Sequence, residues 1–321
     1  MGLLDWLLPG QQSQEDPDIA AGISSIIQIV DPRLNALSET SRILAPAVAA
    51  ALDFCRAAVA DVPGPFDASP GHWRHTPELS VFFASNEEVQ EIFSRQENIQ
   101  DFVTDHFVVD PSEKTEVFAL LWARMEEKSG FAIRQDKNGP QHETAIRSLN
   151  FTRHHLILPR ASAHELEHDL FWGIFQQLGQ EILARLQIRQ QEDAARHEEI
   201  ALLRSRLARD DIDHDTRERL QREQETLLQA SAPRSLEDTL AWVAQNLLAP
   251  ETLIAITPCD LRVDHLNRIL SPEEEGHLLH LCRFSVSAPT AREGVLLRVR
   301  YPIAEIIPRA QLREQIERLF G

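Results

Sequence analysis

His164, Glu165 and His168 fall in the run His164-Glu165-Leu166-Glu167-His168, which has the H-E-x-x-H spacing of a catalytic zinc site. On a helix the two histidines stand one turn apart on one face and can both ligate zinc. The glutamate between them can then act as general base on a metal-bound water.

Local context favours a structural role for the same residues. Ser162 precedes Glu165 by three, where Pro159 gives way to helical periodicity, so Ser162-x-x-Glu165 reads as a capping box. A carboxylate held at a helix start is a poor base. Glu167 is charged and needs a partner if it is buried. Phe171 and Ile174 occupy the places where the extended metzincin pattern needs glycine and histidine. Glu181 and Glu192 lie further along the same rod, pointing away from the histidines. The remaining donors are upstream, His154 and His155, which can return across a short turn. At 100° per residue His164 and His168 share a sector with Phe171, Phe175, Leu178 and Ile182, so they are expected to extend an apolar stripe. The preferred reading is a capped helix with no cofactor. The alternative is a zinc-dependent hydrolase with His164, His168 and either His154 or His155 as ligands and Glu165 as base.

Other constellations are weaker. Cys259, His265, His277, His280 and Cys282 match no zinc-knuckle spacing, and Leu279 and Leu281 alternate with them as in an ordinary strand. Asp211, Asp213 and Asp215 imitate the start of a calcium loop, but Thr216 stands where glycine is needed and Arg222 where the bidentate glutamate belongs. Phosphate-binding loops, dinucleotide fingerprints, nucleophile elbows and C-x-x-C pairs are missing from the chain.

The elements that must position these residues divide the chain into an α+β arrangement of four parts. Residues 1–65 read as an N-terminal helical segment, in which Val48, Leu52, Cys55 and Val59 make one apolar face and Pro46 opens the helix. Val62 to Gly71 is a linker or wrapped loop. Residues 66–160 read as an α+β module: a strand at Leu79 to Phe83, a helix capped by Ser85, a second short helix, then a three-strand antiparallel meander. Its strands are Val117–Met125, Phe131–Gln135 and a run in which Leu149, Phe151, His155 and Ile157 alternate, with turns at Gly130 and Asn138-Gly139. Glu87, Glu88, Glu91, Glu97 and Asp101 make an acidic face, read as solvated.

Residues 161–232 read as a long helical hairpin arm. Ile200, Leu203 and Leu207 run up to the break at Asp210–Asp215, and Leu220 and Leu227 follow it; folding there sets Leu207 opposite Leu220 and Ile200 opposite Leu227. Residues 233–321 read as a C-terminal α+β module, with Ser235 capping a helix, strands at Leu253–Ile256, Leu261–His265, Leu278–Ser287 and Val295–Tyr301, and a last helix from Pro308.

With 32 basic and 50 acidic residues the net charge is −18, which repels nucleic acid and anionic lipid over long range. Three cysteines without paired spacing suit a reducing compartment, so a cytoplasmic location is expected. The apolar opening, residues 3–8, lacks flanking basic residues and is expected on a partner or on the core in preference to a membrane. Together these features describe a non-enzymatic interaction or scaffold protein. Ile200, Leu203, Leu207, Leu220 and Leu227 are its candidate partner-binding residues, facing another protein or a second copy.

Overall fold

The computed structural model describes residues 16–106, 115–135, 141–207, 214–229, 235–287 and 292–320. Residues 3–8, the turn at Asn138-Gly139 and the loop aspartates Asp211 and Asp213 lie outside that range. The fold is α+β, and by packing the chain forms two compact units: Met1–Phe54 with Phe175–Leu253, and Cys55–Ile174 with Ile254–Gly321.

The first unit is helical. Asp16 caps α1 (Pro17–Val30) by accepting the Asp18 N–H at 3.0 Å, and Pro17 occupies the first turn, where its missing N–H costs nothing. Ile23, Ile26 and Val30 form its buried stripe. α2 (Thr40–Asp61) begins six residues earlier than Pro46 suggests, with that proline inside the helix. There it removes one backbone donor, and the burial of Leu44, Val48, Leu52 and Cys55 outweighs the loss. Among the described residues α2 alone is long and apolar enough to cross a membrane, and those four side chains are wholly buried within the protein.

α6 (Ala163–Leu207) runs for 45 residues, about 67 Å at 1.5 Å per residue, and α7 (His214–Gln229) follows it. Gly179 lets α6 approach α1 closely, since a Cβ there would stand 3.1 Å from Ile29 Cδ1. α8 (Leu236–Leu247) starts with a complete capping box: Ser235 Oγ accepts the Asp238 N–H at 3.0 Å, and Asp238 accepts the Ser235 N–H at 3.3 Å.

The second unit is built on one sheet, not two. Its strands are β1 (Phe66–Asp67), β2 (Glu116–Gln135), β3 (Gln141–Arg160), β4 (Ile254–Val263), β5 (His277–Val286) and β6 (Arg292–Pro302), in the order β3-β2-β6-β5-β4, with β1 parallel to β6 and the other pairs antiparallel. The strands assigned to the segments 66–160 and 233–321 therefore share a sheet, joined through Glu116–Ala123 against Val295–Pro302. The β4–β5 connection also returns to the far edge: Asn267 O accepts the Leu149 N–H and Arg147 O accepts the Ile269 N–H, both at 2.8 Å. The sheet is thus curled, with β3 bonded to the loop that leaves β4. Phe82, Phe83, Phe93, Leu121, Phe151, Leu156, Leu297 and Tyr301 belong to the core on its inner face.

Several local expectations change. The meander is a single hairpin of two 20-residue strands, and Gly130 sits within β2 opposite Ile146, where glycine marks a strand interior and not a turn. The run Leu79–Phe83 is helical, α3 (Pro77–Phe82), because Leu79, Phe82 and Phe83 at i, i+3 and i+4 all reach the core. Pro258 lies within β4 and does not divide it; β4 is an edge strand, where a missing donor is tolerated. The linker contains β1, and beside it Gly64, at φ +108°, admits no side chain: a Cβ there would lie 2.2 Å from the Arg298 carbonyl oxygen. α4 (Asn86–Arg95) is capped by Ser85 as expected, followed by α5 (Glu97–His106); α9 (Arg309–Phe320) closes the described chain.

Candidate functional site

The start of α6 has the expected serine cap with one difference. Ser162 Oγ accepts the Glu165 N–H at 3.2 Å, but the Glu165 carboxylate accepts the Ala161 N–H at 3.1 Å, one residue before Ser162. Glu165 therefore serves the helix terminus. His164 and His168 do not extend the apolar stripe; both are exposed, and Leu166, Leu170 and Ile174 are buried in their place. Steps of four residues advance the buried sector by about 40° each, which carries it round to Phe175, Leu178 and Ile182 further along. Along α6 the buried sector thus drifts round the helix, and at the helix start it leaves the histidine positions out.

The neighbouring charges are satisfied by protein partners. Glu167 pairs with Arg298 of β6, and Asp169 with Arg160 of β3; Asp169 also holds His168 Nδ1 at 3.1 Å. Burial alone would raise the Asp169 pKa, but hydrogen bonds from His168 and Arg160 hold it below the usual value.

His154 and His155 part company at a β-bulge. Trp122 pairs with His155 and Arg124 with Thr152, so Arg153 and His154 together oppose Ala123, and Arg153 takes the left-handed conformation at φ 55°. The extra residue reverses the side-chain alternation. Phe151, His154 and Leu156 turn inward, whereas His155 and Ile157, expected to share a face with Phe151, turn out. His155 lies against Trp122 at 5.6 Å between ring centroids, and His154 against Phe83 at 5.3 Å. Burial pushes the His154 pKa down, against the pull of Glu88 and the Phe82 carbonyl. Its Nε2 is buried without a hydrogen-bond partner.

Among the described residues no three His, Cys, Asp or Glu side chains stand together as metal ligands. Of the second cysteine–histidine set, Cys282 is wholly buried, His265 and His277 are exposed, and His280 Nδ1 contacts Asp260 at 2.9 Å. The acidic face is partly paired as well: Asp101 meets Arg309 and Glu91 meets Arg95.

The arm residues Ile200, Leu203, Leu207 and Leu227 fall on the helical backbone of α6 and α7, but their side chains are outside the described part of the structure. Leu220 is 6% exposed, while its neighbours on α7 face water. From Gln187 to Glu199 no side chain is buried, and Leu202 is 62% exposed.

One feature of the second unit left no mark in the sequence pattern. A cleft of about 590 Å³ opens between α3, β3 and the β4–β5 turn, with Trp73, Arg74, Glu88, Asn150, His265 and Asn267 among its lining. The nearest sequence signal is His72-Trp73-Arg74-His75, an aromatic and three basic residues that directly follow the linker ending at Gly71. Comparison of the chain with protein-family models, curated proteins and solved structures finds no match in any of the three.

Proposed function

We propose that this is a cytoplasmic, non-enzymatic interaction protein that captures a partner protein or a second copy through the hairpin of α6 and α7. The observation that carries the reading is the outer half of α6. It continues as helix past Arg189 without adding a buried side chain from Gln187 to Glu199. A helix that contributes nothing to a core has little tertiary packing to stabilise it, so contact with another protein is the natural source of that support. Leu220 is buried on α7, and Leu202 supplies an apolar side chain held in water.

Replacing residues 190–229 by a short flexible linker is the test. The shortened protein should stay soluble with cooperative thermal unfolding, and should lose self-association in light scattering or retention of its partner in pull-downs. Association equal to that of the full chain in both assays would refute the reading.

A further inference from the structure

We propose that the cleft between α3, β3 and the β4–β5 turn is a binding site for a small monocarboxylate, with Arg74 as the group that takes the carboxylate. Its volume, about 590 Å³, falls in the range of sites that enclose small ligands. The lining belongs wholly to the sheet-containing unit.

Arg74 is the informative residue. Its guanidinium carbon sits 5.1 Å from the centre of the Trp73 ring, and Trp73 is only 2% exposed, so a fixed aromatic surface holds the fork. Many arginines of this acidic chain are paired with carboxylates: Arg33, Arg42, Arg95, Arg160, Arg298, Arg300 and Arg309 all are. Arg74 makes no ion pair among the described residues, although its charge reaches Glu87. A planar, permanently charged fork stacked on tryptophan and open to a cleft is suited to a carboxylate.

The remaining lining sets the ligand's charge and body. The Glu88 carboxylate stands in the same wall, where its Oε2 accepts the Ala84 N–H at 2.6 Å. With a net charge of −18 on the chain, that carboxylate makes a second negative charge on the ligand unfavourable, which separates a monocarboxylate from a phosphate. The amides of Asn150 and Asn267 and the imidazole of His265 have no side-chain partners among the described residues, and Phe82, Phe83 and Phe151 form the apolar base. The site therefore fits an acid whose body offers both an amide and an apolar group. Asn267, at φ 58°, and the Asp264 carboxylate, which accepts the Leu266 and Arg268 N–H groups at 2.9 Å each, shape the turn that forms the rim.

N-acetylphenylalanine, its neutral amide and inorganic phosphate, titrated calorimetrically into the full chain, test the proposal. The acid should bind in the millimolar range or tighter, and the amide and phosphate more weakly. Arg74→Gln, a change at an exposed side chain, should weaken the acid by about tenfold or more with thermal unfolding unchanged. Failure of the acid to bind, equal binding of acid and amide, tighter binding of phosphate, or acid affinity unaltered in Arg74→Gln would each overturn it. The comparison of acid with amide uses unaltered protein, so it stands even if the variant is misfolded.

Discussion

The curled sheet and the helical arm obtain their order in opposite ways. In the sheet, β2 is joined to β6 across more than 170 residues of sequence, and the loop after β4 is bonded to β3. In the arm, each helical turn of α6 is held by bonds to the turn before it, and side-chain pairs such as Arg196–Glu192 are also one turn apart. The first region is determined by what meets across the chain, and the second by what is adjacent along it. A single substitution should therefore act globally in the sheet and locally in the arm.

The sharpest contrast lies in two adjacent residues of β3. Leu156 is wholly buried and Ile157 is 41% exposed, an order set by the bulge at Arg153. Leu156→Ala should cost about 2–5 kcal/mol, and Ile157→Ala within about 0.5 kcal/mol, both measured by urea unfolding. Equal costs would mean that the bulge does not set the phase of this strand.

That bulge also shows why the sequence was readable in one region and opaque in the other. Capped helix starts at Ser85, Ser162 and Ser235 are written in four consecutive residues, and β5 and β6 are short runs rich in apolar residues, so each could be located from the sequence. Strand register is different in kind. Leu149, Phe151, His155 and Ile157 all fall at odd positions, as one face of a regular strand would, and only a residue at positive φ, Arg153, which no glycine announces, shifts the second half to the other face. The merging of two sets of strands into one sheet is likewise a long-range pairing that local periodicity cannot express. The apolar stripe expected through His164 and His168 is a related case: α6 buries Leu166, Leu170 and Ile174 at its start, a sector that spacing along the helix alone does not pick out.

A smaller effect follows from His154, turned inward by the same bulge. Its folded pKa lies below the ordinary value of 6.5 because of burial, so between the two values the unfolded chain binds more protons. Stability then falls as the pH drops through that window. His154→Phe should flatten this acid-side loss, seen as a smaller decrease in melting temperature between about pH 7.5 and pH 5 than the parent shows. An identical decrease in the two proteins would mean that His154 titrates in the fold as it does in water.

The smallest effect belongs to the junction where the sheet hands over to the arm. Ser162 satisfies one N–H of the first turn of α6, and Glu165 satisfies the N–H of Ala161 outside it. Ser162→Ala should cost about 1 kcal/mol. Glu165→Gln keeps an acceptor oxygen but loses the negative charge near the helix N-terminus, and should cost a few tenths of a kcal/mol. Because the cap lies at the end of α6 that packs in the sheet-containing unit, the Ser162→Ala loss should appear in global unfolding. Amide exchange from Gln187 to Glu199 should stay as it is in the parent protein. Faster exchange in that stretch would show that the arm's helix is propagated from its capped start, and the division between global and local order would fail there.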